Sequence, residues 1–294
     1  MAQYGNPDFS LLTPYVQENT DLVAAAILNT DELAHVSIRT NIPAGTTSIN
    51  VFNADFTDTD RTCGGDWGTS GVSFDQIPVT VADRSIKQNL CSLDARNYWL
   101  SERMQPSAYG AEEMPFAETL ANYMLSGVKK NISDFIGSSI ATQLAPAPSY
   151  AGAAVLTVSN DLEQLYDLYD ATADAVKQMD DVKIFMSPAN YRIAVRAIVA
   201  QGGAGFFHYN VGEGQGAVML PGTNVTLVAS SGFSGLDTIV CAPAKYIIAC
   251  FGLQSDEDRL NLVYDASEDL IKMSAYYRRG LGVYAVDQCA TNGL

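Results

Sequence analysis

The run Glu112 to Leu144, EEMPFAETLANYMLSGVKKNISDFIGSSIATQL, constrains this chain more than any other. Met114, Ala117, Ala121, Met124, Val128, Ile132, Phe135 and Ile140 recur at spacings of three to five, which is one buried stripe on a continuous helix. A helix of about 30 residues spans roughly 45 Å, longer than a compact domain needs. Gly127 and Gly137 interrupt its helix-forming composition and mark a bend or a close packing contact.

The segments before the rod have little surface of their own to bury. Residues 1–35 read as an N-terminal arm: short apolar pieces, ending in LVAAAIL, are broken by Pro7, Pro14 and polar residues, so the arm must dock on something else. Residues 36–110 switch to period two and read as an extended loop. SIRTNIPAGTTSINVFNADF predicts a strand, a Pro-Ala-Gly turn and a second strand, and VSFDQIPVTVADRSIKQNLC resumes the alternation. The tip between them, DFTDTDRTCGGDWGTSG, is rich in turn residues.

After the spine (residues 111–150) an α/β pattern begins, residues 151–256. AVLTV reads as a short strand. Asn160 and Glu163 have capping-box spacing for a helix whose inner face carries Leu162, Leu165, Tyr169, Thr172, Val176 and Met179. VKIFM is a strand, and Ser187-Pro188 opens the helix NYRIAVRAIVA. Residues 257–294 are nearly all strand, with KMSAYYRR and LGVYAVDQ alternating on either side of Arg278-Arg279-Gly280.

Composition excludes several functions. With 47% apolar and 17% charged residues the chain folds, and no run approaches the roughly 20 apolar residues of a membrane span. The first residues lack a signal-peptide pattern, so the chain is expected to start at Met1 and stay soluble. The net charge is -16, and residues 1–60 hold one basic residue, Arg39, against eight acidic ones, the wrong sign for gripping phosphates. Five cysteines form no CxxC pair, which indicates a reducing compartment, and the Asn131 and Asn224 sequons are not expected to carry sugar. His35 and His208 have no adjacent nucleophile, SSGFSGL lacks the spacing of a nucleophile elbow, and Gly212 to Gly216 is followed by no helix that would hold a phosphate. Asp55, Asp58 and Asp60 lack calcium-loop spacing and read as a solvated tip. The seven acidic residues between Asp161 and Asp181 read as the wet face of a helix. No catalytic, cofactor-binding or metal-binding residue is assigned.

What remains is an arm, a long two-stranded excursion, a spine helix and a compact unit with a long terminal sheet. Ordering such appendages costs conformational entropy that only a receiving neighbour offsets, so the chain reads as a subunit of a closed assembly. In this order, and in DVKIFMSPANYRIAVRAI and the closing series from Leu220 to Ala290, it resembles the HK97-type tailed-phage major capsid protein. The resemblance implies an α+β capsid fold with an N-terminal arm, an extended β-hairpin loop, a long spine helix and a mixed α/β axial domain. It also implies a structural, non-enzymatic role in the virion capsid, assembled in the host cytoplasm from pentamers and hexamers of the chain itself. The implied partners are a portal, a separate scaffold or decoration proteins, and packaged double-stranded DNA that is enclosed without sequence-specific binding.

Candidate contacts between subunits are Arg84, Lys87, Arg96 and Arg103 on the loop, facing the acidic arm, and Arg278 and Arg279 facing a neighbour's carboxylates, with Gly280 and Gly282 permitting the strand to bend. Lys87 has no assignable isopeptide partner, so locking is expected to be noncovalent. Two other readings stand beside this one: an encapsulin-like bacterial cage, which needs an apolar pocket for a cargo peptide, and a soluble α/β enzyme, which needs a polar cleft of converging titratable groups.

Overall fold

The computed structural model describes Thr13, Asn97 and residues 22–54, 72–94, 116–150, 152–157, 159–200, 207–208, 217–252 and 260–294. A short helix, α1 (Leu22–Leu28), leads through a 3-10 turn (Asp31–His35) into strand β1 (Ser37–Arg39). Val23, Ala26 and Ile27 of α1 are buried in the main core against the long helix of the same chain. This end of the arm therefore finds its support within its own subunit. Thr13 does the same, donating its hydroxyl to the Leu262 carbonyl at 3.1 Å.

Strands β2 (Gly45–Ala54) and β3 (Val72–Cys91) form the antiparallel hairpin that the alternation predicts, with Ile49 opposite Ile77 and Thr47 opposite Val79. The turn residues 55–71 lie outside the described residues. The spine α2 runs unbroken from Phe116 to Leu144. Ala121, Met124, Val128, Ile132, Ile136, Ile140 and Leu144 are its buried stripe, while Phe135 sits on the flank, partly covered. The two glycines of α2 differ. A Cβ on Gly127 would meet nothing within 4 Å, whereas one on Gly137 would lie 2.5 Å from the Gly232 Cα. Gly232 belongs to a 3-10 turn, Ser231–Phe233, so two glycine backbones meet where the spine crosses that turn.

In the axial unit the elements are α3 (Asp161–Asp170), a single turn α4 (Asp174–Lys177), β4 (Val182–Met186) and α5 (Pro188–Ala200). Short strands follow: β5 (Phe207–His208), β6 (Ala217–Met219), β7 (Thr226–Ala229) and β8 (Val240–Pro243). With β12 (Ala290–Thr291) they make a mixed sheet in the order β12-β8-β4-β7-β6-β5. Ser187 caps α5 as read, its Oγ accepting the Asn190 amide at 3.2 Å.

Three local expectations fail here. Residues 154–157 form no strand, because side chains take their backbone groups: Gln164 Oε1 accepts the Ala154 amide at 2.9 Å and Asn160 Oδ1 accepts the Thr157 amide at 2.7 Å. Asn160 is thereby drawn away from capping α3. The helix also stops at Asp170 and restarts at Asp174, so the inward residues Leu165 and Val176 lie on two pieces, with buried Thr172 in the break between them.

The second sheet holds the extended parts: β9 (Ile247–Phe251), β10 (Leu260–Asp265) and β11 (Leu270–Val283), in the order β1-β9-β11-β3-β2, with β10 also on β11. β1 pairs with β9 in parallel and not with β2, the strand that follows it. The first alternating run at the C-terminus and the opening Leu281–Val283 of the second form one strand that changes partner, while the rest of the second run leaves the sheet for a 3-10 turn, Val286–Gln288. From Leu270 to Arg279, β11 pairs with β3; from Arg279 to Val283 it pairs with β9.

Gly137→Ala is expected to lower unfolding stability by about 1–3 kcal/mol through overpacking against Gly232. Gly127→Ala should leave it unchanged or raise it by up to about 1 kcal/mol. Chemical denaturation of both variants checks the contrast.

Candidate assembly surfaces

The hairpin is anchored at its root and uncovered on one face. Where β11 leaves β3, the outer half of β3 (residues 72–81) pairs with β2 and passes over β11. A Cβ on Gly280 would stand 2.7 Å from the Thr80 carbonyl oxygen, and one on Gly282 would collide with the Val79 side chain. These glycines therefore make room for the crossing strand, a role different from the bend read in the sequence. Around them Ile49, Ile77, Val79, Val81, Ile248 and Cys250 close a small apolar cluster of their own. The Tyr284 hydroxyl adds a tie to Asp75 Oδ2 at 2.8 Å. On the opposite face Thr46, Ser48, Asn50, Gln76, Pro78 and Thr80 are exposed. That polar stripe is what the excursion offers outward.

Register sorts the candidate cations onto two faces. Directly opposed residues share a face of the sheet, so Tyr277, Arg84, Arg279 and Ala82 lie together on the side toward α2. Arg278, Asp83, Tyr276, Ser85, Ser274 and Lys87 lie on the other. Arg279 is engaged inside the chain: its Nη1 donates to the Asn131 carbonyl at 2.5 Å, and the guanidinium lies over the Phe135 ring at 4.2 Å. Burial pulls its pKa down, and its buried Nε has no hydrogen-bond partner. Arg279 thus ties the partner-switching point of β11 to the spine. Arg278 donates from Nε to Asp83 Oδ1 of the same chain at 2.7 Å. Arg84 and Lys87 are exposed, with the Lys87 ammonium 5.7 Å from the Tyr276 ring centre. Arg96 and Arg103 fall outside the described residues.

Lys272, on the outer face, holds the β10–β11 turn through Asp265 and Glu268, each at 2.7 Å. The hydrogen bond from Lys272 holds the Asp265 carboxyl well below its ordinary range. Strand alternation alone separates Arg84 from Lys87, three residues apart, but only the register shows that Asp83 is Arg278's in-chain partner.

Reactive groups do not converge. Among the described residues no three His, Cys, Asp or Glu side chains are grouped to hold a metal, and no helix is long and apolar enough to cross a membrane. Asp55, Asp58 and Asp60 lie outside the described residues, as does Cys63. Cys91, Cys241, Cys250 and Cys289 are free thiols. Burial pushes Cys241 and Cys250 up to about 11 and Cys289 up to about 12, so they remain protonated. One of the acidic residues read as a wet face is not wet at all. Asp161 is 0% exposed, and neither carboxylate oxygen has a hydrogen-bond partner. Desolvation raises its pKa from 3.8 to about 7.

A spine helix beneath a sheet that splits into a projecting hairpin, followed by a mixed axial sheet, is the HK97-type capsid fold, of α+β class. No protein-family model matches the chain, and no curated protein matches it by sequence. Solved structures match it along nearly its whole length. A structure from Mycobacterium phage Che8 is 12% identical, with a TM-score of 0.50, covering 99% of this chain and 93% of that one. The holo-SrpI encapsulin complex of Synechococcus elongatus is 12% identical, with a TM-score of 0.52 and coverage of 99% and 91%. The satellite phage P4 procapsid, solved with its size determination (Sid) protein, is 10% identical, with a TM-score of 0.52 and coverage of 94% and 98%. At such identities the shared property is the fold.

Because folded Asp161 keeps its proton to higher pH than the unfolded chain does, stability falls as pH rises from 3.8 to about 7 and levels off above. Asp161→Asn is expected to flatten that decline and to stabilise the protein at alkaline pH, by at most about 4 kcal/mol. Thermal unfolding of both proteins across this pH range measures it.

Proposed function

We propose that the chain is the major capsid protein of a tailed phage, whose copies assemble into pentamers and hexamers of an icosahedral shell around double-stranded DNA. The observation that carries this reading is the hairpin. It is fastened at its root and polar along its uncovered face, in a chain that follows a capsid fold from end to end. A neighbour's surface beneath that face would satisfy its side chains. The acidic arm of one subunit would meet Lys87, Arg84, Arg96 and Arg103 of another, each exposed pair contributing about 0 to 1 kcal/mol and the total growing by repetition. Arg278 and Arg279, already held within the subunit, would shape the hairpin that makes these contacts. A virion location, assembly in the host cytoplasm, a portal, and a scaffold or decoration protein belong to the same reading. With a net charge of -16, the shell would enclose DNA without gripping it.

An encapsulin-like cage is the second reading, favoured by a structural likeness of equal extent. Negative-stain microscopy of the purified protein, with nuclease digestion and mass spectrometry of the contents, separates the two. Nuclease-protected DNA supports the capsid, a single copurifying enzyme supports the cage, and a monodisperse monomer removes both.

Deleting residues 1–20 spares α1, which begins at Leu22 and belongs to the core. The truncated chain should remain folded by circular dichroism but form no particles. Lys87→Glu should lower the yield of closed particles in low salt without moving the subunit's unfolding midpoint, since its side chain is exposed.

A further inference from the structure

The junction between the arm and the hairpin rests on the axial sheet through an unusual pair of groups. The Lys183 ammonium, from β4, lies 3.2 Å from His35 Nδ1 and 3.4 Å from the Ala34 carbonyl oxygen. An ammonium has donors and no acceptor, so Nδ1 must be the acceptor, and His35 is neutral with its proton on Nε2. Protonating Nδ1 removes the lone pair and sets two cations 3.2 Å apart.

The other contacts of residues 31–36 are few, whereas residues 37–39 are held separately, as β1 in its parallel ladder with β9. Leu33 and Val36 are buried; Glu32 Oε1 accepts from the Ser231 amide at 3.4 Å and from its hydroxyl at 3.2 Å; Ser37 donates to the Ala244 carbonyl at 3.4 Å. We propose that His35 and Lys183 form an acid-released latch, holding residues 31–36 on the axial sheet at neutral pH and freeing them on acidification. This inference does not depend on the capsid reading.

The charges around the latch set its direction. Burial and then Lys183 lower the pKa of His35 from 6.5, while Glu32 and Asp31 on its own turn pull the other way. Lys183 is itself lowered by burial, opposed by Asp181 at the start of β4. Asp181 in turn accepts the backbone amide of Lys245, from the turn after β8, at 3.0 Å. Held in place, His35 binds protons less readily than when released. Local stability is therefore full above 6.5 and falls as pH drops through the lower native value, by at most about tenfold per pH unit.

Amide hydrogen exchange on the full chain, corrected for intrinsic rates, tests this between about pH 7.5 and pH 5. Protection of residues 31–36 should fall with acid relative to that of β8. In His35→Asn, whose Oδ1 replaces Nδ1 as a non-titrating acceptor, it should stay level. In Lys183→Met it should be low at both ends of the range. An acid response shared equally by wild type and His35→Asn, or no response in wild type, overturns the latch. Should either variant fail to fold, the imidazole titrations of the wild-type chain still decide. It has two histidines, and His208→Gln assigns their signals. A His35 midpoint below 6.5 supports the latch, and one at or above 6.5 overturns it.

Discussion

The close passage of β3 over Gly280 and Gly282 is the constraint on which the extended half of the molecule depends. Both long strands are shared between partners. β3 gives residues 82–91 to β11 and residues 72–81 to β2; β11 gives residues 270–279 to β3 and 279–283 to β9. Two strands can part in this way only if one steps over the other, and the step brings the Thr80 carbonyl to a distance that no side chain on residue 280 would allow. With the backbones that close, Val79 and Ile77 reach the glycine face, and the hairpin root acquires a small core that it could not have built alone.

The spine is held by the same device at its other end and by a charged group in its middle. Gly137 against Gly232 fixes where α2 crosses the axial unit. Arg279, stacked on Phe135 and bonded to the Asn131 carbonyl, fixes where it meets the switching point of β11. Because the guanidinium is planar and stays charged when partly buried, one residue can reach the spine's backbone and an aromatic flank together, which an ammonium does less well. The three contacts share little surface. Their effect is positional: they set the direction in which the hairpin leaves the body.

The sequence made the period of each long element legible, and with it the fold. The three-to-five spacing of Met124, Val128 and Ile132 marks the spine, and the alternation of Ile77, Val79 and Val81 marks the hairpin, since both patterns depend on one continuous buried face. What stayed hidden depended on partners distant in the chain. β1 chose β9 over its neighbour, and Gln164 and Asn160 took up backbone groups that would otherwise have made a strand of residues 154–157. Asp161 looked like one more surface carboxylate because burial leaves no local mark on composition. The candidate assembly surface was legible as a set of cations but not as a geometry. Alternation already puts Arg84 and Lys87, three residues apart, on opposite faces; what it hides is that Arg278 and Arg279 are spoken for within the chain.

That sorting bears on how such a subunit associates. If all six basic residues lay on one free face, charge attraction to acidic arms would be strong and indifferent to angle. With Arg279 internal and Arg278 paired to Asp83, the exposed cations among the described residues of this region are Arg84 and Lys87, on opposite faces of one strand, in a chain of net charge -16. Long-range forces between copies are then repulsive and screened beyond about 8 Å at physiological salt. Attraction must come from short-range contacts: local pairs between arm carboxylates and exposed cations, and complementarity along the polar face of the hairpin, where hydrogen bonds form only at the correct register and angle. Weak, directional contacts of this kind let misplaced subunits leave before a shell closes, whereas sticky ones would trap them. On the capsid reading, the same restraint lets identical copies select the one arrangement in which every hairpin is covered.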